Sequence, residues 1–256
     1  MILECYSDVE KENLYQRVLY GDIVEYFNLM PLIECAIIKN GAVLSGDTIM
    51  AIDLTSNAIA TDYQTLIINR VGCPILTHKS SQVLLKEFDQ TCSLNHNSIR
   101  KIIHLLYNRK FRKFPYMKVG TLFMLTDGGV RKNTTLINLT YLDNVTSRAR
   151  DLPFLTFSNH LEITVPLTYP TIKKRVWQTV KLYTVFFTHE LHSLDEEYPH
   201  LIFKGWEGSY IIDQRNRFIQ LVQKLTLKEF QLFRSYVQGS TSLSARELFD
   251  KWIDFM

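Results

Sequence analysis

Short apolar runs separated by turn residues occupy residues 34–77, and they constrain the fold more than any other feature of the sequence. Each run is bounded by Gly, Asn, Asp or Pro, as strands usually are, and the runs are TIMAIDL, NAIATD, TLIINRV and CPILT. Before them, Lys39, Asn40 and Gly41 lie between two apolar runs, which predicts a β-hairpin. No Gly-rich phosphate loop follows a strand, so this region is predicted to be an antiparallel meander.

Two further pairs of strands are predicted downstream. Residues 116–126 and 134–141 are joined by a turn that contains Gly128 and Gly129. Residues 154–157 and 161–165 flank the segment SNH, which is typical of a tight hairpin. The β-rich character of the chain therefore continues well past its middle.

The N-terminal part of the chain is predicted to be helical. The capping pair Ser7 and Glu10 predicts a helix over residues 9–20. The apolar residues on the buried face of this helix are expected to be Val9, Leu14, Val18 and Leu19. Pro31 is predicted to mark the entry into strands, and residues 83–88 fit either a helix or a strand.

Helices also follow in the second half of the chain. Asn97 or Ser98 can cap a helix over residues 99–109. Pro170 is expected to lie in the first turn of a longer helix. The buried face predicted for this longer helix comprises Ile172, Val176, Trp177, Val180 and Tyr183 or Thr184, with Lys173, Lys174 and Lys181 toward solvent.

These elements predict an α+β fold with an antiparallel β-rich core, a few packed helices and a C-terminal helical extension. The predicted organisation is an N-terminal helical segment of residues 1–33, a core of residues 34–188 and an extension of residues 189–256. Two capping boxes in the extension predict helices over residues 227–237 and 245–255.

The cysteines and the hydropathy of the chain indicate its compartment. The 4 cysteines are widely spaced and form no CxxC pair, which indicates reduced, mostly buried thiols and not a disulfide framework or a zinc site. No apolar run approaches the ~20 residues of a membrane span, and the acidic N-terminus does not resemble a signal peptide. His189 and His192 are one helical turn apart, but the acids near them are generic. The sequence therefore predicts a cytoplasmic protein with no membrane partner, no metal site and no cofactor.

Charge is segregated along the chain. Residues 100–181 carry 15 basic against 4 acidic side chains, whereas residues 1–99 carry 6 against 12 and residues 182–256 carry 8 against 10. The net charge of +3 therefore hides one strongly basic segment between two acidic flanks. This asymmetry favours a localised anionic partner over a generally cationic surface.

The basic residues are densest in residues 100–118, whose sequence is RKIIHLLYNRKFRKFPYMK. This stretch has 7 Lys and Arg, no acid, and two Tyr and two Phe interleaved with the charges. A cationic run mixed with aromatic residues is suited to binding a polyanion while keeping part of each side chain in the core. The alternative is a solvated helix face, which is what most charge runs are.

Residues 155–183, LTFSNHLEITVPLTYPTIKKRVWQTVKLY, resemble the C-terminal core of the bacterial competence transcription factor ComK. The similar features are a hydrophobic-Thr-Phe-Ser-Asn hairpin, a strand ending in Pro, and a helix with an aromatic residue at the position of Trp177. Upstream segments resemble the family in the same order, and they are TLIINRVGCPIL, CSLNHNSIRK and RKFPYMKVGTLFMLT. The resemblance covers about residues 35–185.

The resemblance implies a DNA-binding transcription activator and not an enzyme. Members of the family switch on the genes of DNA uptake in natural transformation. They bind double-stranded DNA at A/T-rich boxes through the minor groove, as dimers paired on one promoter, and adaptor-delivered proteolysis controls their level. The chain departs from the family in its N-terminal helix and its longer C-terminal extension. The short C-terminal adaptor-binding signal of the family has no clear counterpart here.

Candidate DNA-binding residues follow from the basic segment and from the chemistry of the minor groove. Proteins that read this groove use Arg and Lys together with Asn or Gln, because the groove offers a degenerate pattern of acceptors. The candidates are Asn95, Asn97, Arg100, Lys101, Arg109, Lys110, Arg112, Lys113, Lys118, Arg131, Lys132, Lys173, Lys174 and Arg175. The alternative role of Asn97 is a helix cap, and Lys173, Lys174 and Arg175 could simply point into water.

Two other functional classes remain open at this point. A metal-dependent nuclease would need acidic ligands for Mg²⁺, but only 4 acids lie in residues 100–181 and they form no D-x-E-x-K pattern. A protein–protein interaction module could instead dock its tail helices in the groove of a partner. No catalytic residue is predicted.

Overall fold

The computed structural model of the chain describes residues 6–21, 23–55, 61–91, 96–97, 99–100, 113–118, 120–126, 134–147 and 153–191. The helices whose limits fall within these residues are α1 (Asp8–Leu19), α2 (Met30–Glu34), α3 (Ser81–Gln90) and α4 (Tyr169–Leu191). The strands are β1 (Ile37–Ile38), β2 (Thr48–Asp53), β3 (Thr65–Asn69), β4 (Ile75–Thr77), β5 (Tyr116–Lys118), β6 (Thr121–Leu125), β7 (Leu136–Asn138), β8 (Leu142–Ser147), β9 (Pro153–Phe157) and β10 (Glu162–Thr164). The chain is α+β, as the sequence predicts.

The strands of the described residues form two sheets. The larger has the order β1-β4-β3-β2-β7-β6-β5, and each neighbouring pair is antiparallel except β1 and β4. The smaller has the order β10-β9-β8 and is antiparallel throughout. The meander predicted for TIMAIDL, TLIINRV and CPILT is confirmed as β2, β3 and β4, whereas residues 56–60 of the predicted NAIATD strand lie outside the described residues.

The larger sheet is buried on both faces, because successive side chains of a strand point to opposite sides. On β6, Leu122 and Met124 belong to the main apolar cluster, which also includes residues of α1, α2, α4 and the smaller sheet. Phe123 and Leu125 belong to a second cluster on the opposite face, which α3 covers. Phe88 of α3 meets Phe123 edge-on, with 5.2 Å between the ring centroids.

The hairpin predicted at Lys39, Asn40 and Gly41 is wrong. A turn does form, because the Ala42 N–H donates to the Lys39 carbonyl at 3.3 Å. However, β1 pairs in parallel with β4, and the Lys39 N–H donates to the Leu76 carbonyl at 2.9 Å. The apolar residues after the turn form no strand, and Ala42 and Leu44 instead pack in the second cluster beneath α3.

The structure differs from the sequence-based prediction at three other places. Pro31 lies in the first turn of α2 and does not open a strand, as suits a residue without an N–H. The single strand predicted over residues 116–126 is two strands, β5 and β6, which pair around Gly120 at a φ of +72°. The sequence does not predict β8, because only two of its side chains, Leu142 and Val145, are buried.

The structure confirms the capping box predicted at the start of α1. Ser7 Oγ accepts from the Glu10 N–H at 3.3 Å, and Glu10 Oε2 accepts from the Ser7 N–H at 2.7 Å. Val9, however, is 72% exposed, so its expected burial is wrong. Tyr15 is the fully buried residue of this helix, and its hydroxyl accepts a hydrogen bond from Asn159 at 3.3 Å. The N-terminal helices thus pack in the main cluster together with both sheets.

Two segments between β4 and β5 form helix. Residues 81–90 are helical and are capped by Ser80, whose Oγ accepts from the Val83 N–H at 3.3 Å. The ambiguity over residues 83–88 is therefore resolved in favour of a helix. Residues 96–97 and 99–100 are helical as well, and the predicted helix beyond residue 100 lies outside the described residues.

Helix α4 packs on the main cluster as predicted. Pro170 lies in its first turn, and Ile172, Val176, Val180 and Tyr183 are fully buried, whereas Trp177 is half-buried. The Tyr183 hydroxyl accepts a hydrogen bond from the Gly120 N–H at 3.1 Å, which joins α4 to the turn between β5 and β6. The hairpin of β9 and β10 is also confirmed. The helices predicted in residues 227–255 lie outside the described residues.

Cys35 and Cys73 are free thiols, as expected, with Cys35 buried and Cys73 half-buried. Burial raises the pKa of each thiol to about 12, so neither is a reactive thiolate near neutral pH. Cys5 and Cys92 lie outside the described residues. In the part of the chain that the structure describes, no helix is long and apolar enough to cross a membrane.

Candidate nucleic-acid interface

Seven of the fourteen candidate DNA-binding residues lie in the described part of the chain. They are Asn97, Arg100, Lys113, Lys118, Lys173, Lys174 and Arg175. The other seven lie outside the described residues, and they are Asn95, Lys101, Arg109, Lys110, Arg112, Arg131 and Lys132. Only these first seven residues can be placed relative to one another.

A cavity of about 380 Å³ brings three of these candidates together. Asn97, Arg100 and Lys113 all contribute to its lining, and helix α3 contributes Lys86 and Asp89. Asn97 is exposed, whereas Arg100 and Lys113 are half-buried. Three cations thus share the lining with one carboxylate, so the cavity has a positive balance.

The residue after β6, Thr126, is the point where two distant basic residues meet. Its carbonyl accepts a hydrogen bond from Lys113 Nζ at 3.2 Å and another from the Arg175 guanidinium. Arg175 belongs to the first half of α4, so the α4 charge and the Lys113 charge converge on one carbonyl. Lys113 and Arg175 are therefore brought together at the end of β6.

Lys118 lies on the α3 side of the larger sheet. On β5, Met117 belongs to the main cluster, whereas Tyr116 packs against the second cluster, and Lys118 lies on the same face as Tyr116. Lys118 Nζ lies 5.3 Å from the centroid of the Phe88 ring, which is within the range of a cation–π contact.

The lysines of α4 are placed differently from each other. Lys174 is exposed, as predicted, but Lys173 and Lys181 are half-buried. Lys173 Nζ lies 4.9 Å from the Tyr169 ring centroid, and Lys181 Nζ lies 5.4 Å from that of Trp177. Both lysines thus stay partly exposed to solvent, as expected, while each ammonium group lies over an aromatic ring. Burial also lowers the pKa of Lys181.

His96 is a buried residue in the lining of the cavity. Its ring stacks on Tyr116 with 3.8 Å between centroids and 9° between planes, and its backbone N–H donates to Asp89 Oδ1 at 2.6 Å. Burial, aided by the nearby charge of Arg100, lowers its pKa from 6.5 to about 4, although a hydrogen bond with the Pro115 carbonyl acts in the opposite direction. His96 is therefore neutral at pH 7.

The lowered pKa of His96 predicts a specific pH dependence of stability. Above pH 6.5 the imidazole is neutral in both the folded and the unfolded chain. Between pH 6.5 and pH 4 the unfolded chain binds a proton that the folded chain does not, so the free energy of unfolding falls as the pH falls. From pH 7 to pH 5 this loss is expected to be about 2 kcal/mol.

Urea unfolding at pH 7 and pH 5 measures this loss, with His96→Phe as the comparison. Phenylalanine keeps a flat ring for the stack on Tyr116 but cannot bind a proton. The wild type should lose about 2 kcal/mol more than the variant between the two pH values. Equal losses in the two proteins would show that His96 titrates normally in the folded chain.

Several residues of the site are not indicated by the sequence. Asp89 and His96 have no local pattern that marks them, and Tyr116 reads only as a strand residue. They meet because α3, the helical residues near Asn97 and strand β5 pack together. Only the cationic density of residues 100–118 points to this region from the sequence.

Comparisons of the chain with protein-family models, with curated proteins and with solved structures found no match.

Proposed function

We propose that this chain is a sequence-specific DNA-binding transcription activator of the competence type. It binds A/T-rich boxes in double-stranded DNA through the minor groove, as a dimer or a dimer of dimers. The resemblance of residues 35–185 to ComK motivates the activator role and the regulon of DNA-uptake genes. The proposal assigns no catalytic step to the chain.

One observation carries the proposal. Arg100 and Lys113 line one cavity, and Lys113 shares the Thr126 carbonyl with Arg175, which comes from the distant helix α4. A group of cations on one part of a surface raises the local concentration of a polyanion, which a scattered set would not do. Residues 101–112, which follow Arg100 in the sequence, carry four more Lys and Arg and no acid.

The side chains of this region also suit the minor groove. Asn97 is exposed, Arg100 follows it three residues later, and both residues are helical. The minor groove offers acceptors at every base pair, and an amide or a guanidinium can donate to them. Long cationic side chains additionally favour the narrow minor groove of A-tracts, where the negative potential is enhanced.

The dependence of DNA binding on salt tests the proposal. Because bound phosphates release counterions, the logarithm of the binding constant should fall linearly with the logarithm of salt concentration. The slope is expected to correspond to about five or more neutralised phosphates per dimer, measured by fluorescence anisotropy on a labelled A/T-rich duplex. A nearly flat slope between low and physiological salt would contradict the proposal.

The same duplex separates an activator from a nuclease. We expect the labelled DNA to remain intact when Mg²⁺ is added to the complex, while binding persists. Metal-dependent cleavage of the duplex would instead assign the basic site to a nucleic-acid-processing enzyme.

A further inference from the structure

The cavity beside Arg100 has features that the binding of duplex DNA does not use. Its volume of about 380 Å³ falls at the lower end of the range found for small-molecule sites. Part of the lining is apolar and includes Val83 of α3, Phe114 and Leu125 of β6. Apolar lining offers nothing to a phosphate backbone, but it offers burial to the body of a small organic molecule.

The polar part of the lining favours an anion. Lys86, Arg100 and Lys113 contribute three positive charges, Asp89 contributes one negative charge, and His96 is neutral at pH 7. The guanidinium of an arginine can bind a carboxylate or a phosphate through two parallel hydrogen bonds. The head group that fits this lining is therefore an anion of that kind.

The walls of the cavity are held in place by contacts within the fold. The His96 ring is stacked on Tyr116, its backbone is bonded to Asp89, and Lys113 Nζ is bonded to the Thr126 carbonyl. A site that is already formed loses little conformational freedom when a ligand binds.

We propose that this cavity binds a small organic anion, with a carboxylate or phosphate head near Arg100 and Lys113 and an apolar body against Val83 and Leu125. The proposal also has a regulatory consequence, which rests on the proposed function. Because the ligand and DNA both use the charges of Arg100 and Lys113, the occupied cavity weakens DNA binding.

Calorimetry on the full chain without DNA tests the binding site directly. The probes are adenosine 5′-monophosphate and indole-3-acetate, which represent the phosphate and the carboxylate head. Their uncharged counterparts are adenosine and indole-3-acetamide, and inorganic phosphate serves as a head without a body. We expect at least one acid to bind once per chain, and its uncharged counterpart and inorganic phosphate to bind at least tenfold more weakly.

Matched variants locate the binding in the cavity. Val83 lines the cavity and is 45% exposed, so Val83→Trp should fill part of the cavity and weaken binding at least tenfold. Val71 is an exposed valine outside the lining, and Val71→Trp should leave binding unchanged. Thermal melts confirm that each variant folds.

The proposal is overturned if neither acid binds with a Kd below about 1 mM. It is also overturned if acid and uncharged counterpart bind equally, or if Val83→Trp and Val71→Trp behave alike. The binding acid should then lower the affinity for an A/T-rich duplex at least tenfold. If an acid binds in calorimetry but the chain does not bind DNA at all, the cavity site stands and the proposed function is rejected. If the chain binds DNA but neither acid binds in calorimetry, the proposed function stands and the cavity site is rejected.

Discussion

Replacing Arg109, Lys110 and Arg112 by glutamine is expected to weaken DNA binding by about two orders of magnitude at physiological salt. Each lost phosphate contact removes the release of about one counterion, so the salt slope should become shallower as well. The loss should be similar on A/T-rich and G/C-rich duplexes, because phosphate contacts position the protein without specifying the sequence. Lys113 is left unchanged, since its ammonium donates to the Thr126 carbonyl.

The matched control removes the same number of charges from the acidic C-terminal region. Arg215→Gln, Arg217→Gln and Lys224→Gln together should change the affinity by less than about threefold. Thermal melts of both triple variants are needed, because long basic side chains also cover apolar surface. If the C-terminal set proves the more damaging, the basic residues of 100–118 are only a solvated surface and the proposed interface is wrong.

Asn138→Ala is expected to destabilise the fold by about 3 kcal/mol or more. The Asn138 side chain is fully buried, and its Nδ2 donates to the Thr48 carbonyl at 2.8 Å. Its Oδ1 accepts from the N–H groups of Leu122 and Thr140, each at 3.2 Å. Alanine leaves these buried backbone groups without their partner and adds a small cavity among β2, β6 and β7.

Urea unfolding of the variant measures this loss, and Asn144→Ala is the control. Asn144 is exposed on β8, and among the described residues its side chain accepts only from the adjacent Val145 N–H. Its removal should change the free energy of unfolding by about 0.5 kcal/mol or less. Equal effects of the two substitutions would mean that Asn138 does not join the central strands of the larger sheet.

Local sequence patterns predict the elements that are stabilised by contacts between residues close in the sequence. The α1 helix follows from its capping box, and the turn between β9 and β10 follows from the short SNH segment between two apolar runs. The buried face of α4 follows from apolar residues at helical spacing. In each case the residues that determine the conformation are within a few positions of one another.

Pairings between distant segments are the part that the sequence could not predict. The turn at Gly41 forms, yet β1 pairs with β4, whose residues come more than thirty positions later. Parallel pairing has no signal in the residues between the strands, so a local hairpin pattern was the stronger indication. The same reason applies to β8, which has few apolar residues and is held by its pairing with β9.

The sequence predicts the charge of the candidate site but not its shape. Its cationic character is visible in the sequence, because Arg100 and Lys113 lie in a stretch without acids. Its shape is not, because Asp89, His96 and Tyr116 meet only when α3 packs across the larger sheet. Nor does any spacing indicate that Arg175 reaches the Thr126 carbonyl.

We propose that the protein reads A/T-rich boxes through the minor groove. Base substitution in the DNA tests this proposal most directly. An inosine–cytosine pair resembles G·C in the major groove, but it lacks the guanine amino group and so resembles A·T in the minor groove. Three duplexes that differ only in their boxes, A·T, I·C and G·C, are compared by anisotropy at one salt concentration.

The protein should bind the I·C duplex within a few-fold of the A·T duplex, allowing for differences in groove width and stiffness. It should lose specific binding to the G·C duplex, whose amino groups occupy the minor groove, and keep only the binding that phosphates provide. An I·C duplex that binds as weakly as the G·C duplex would place the readout in the major groove and contradict the account.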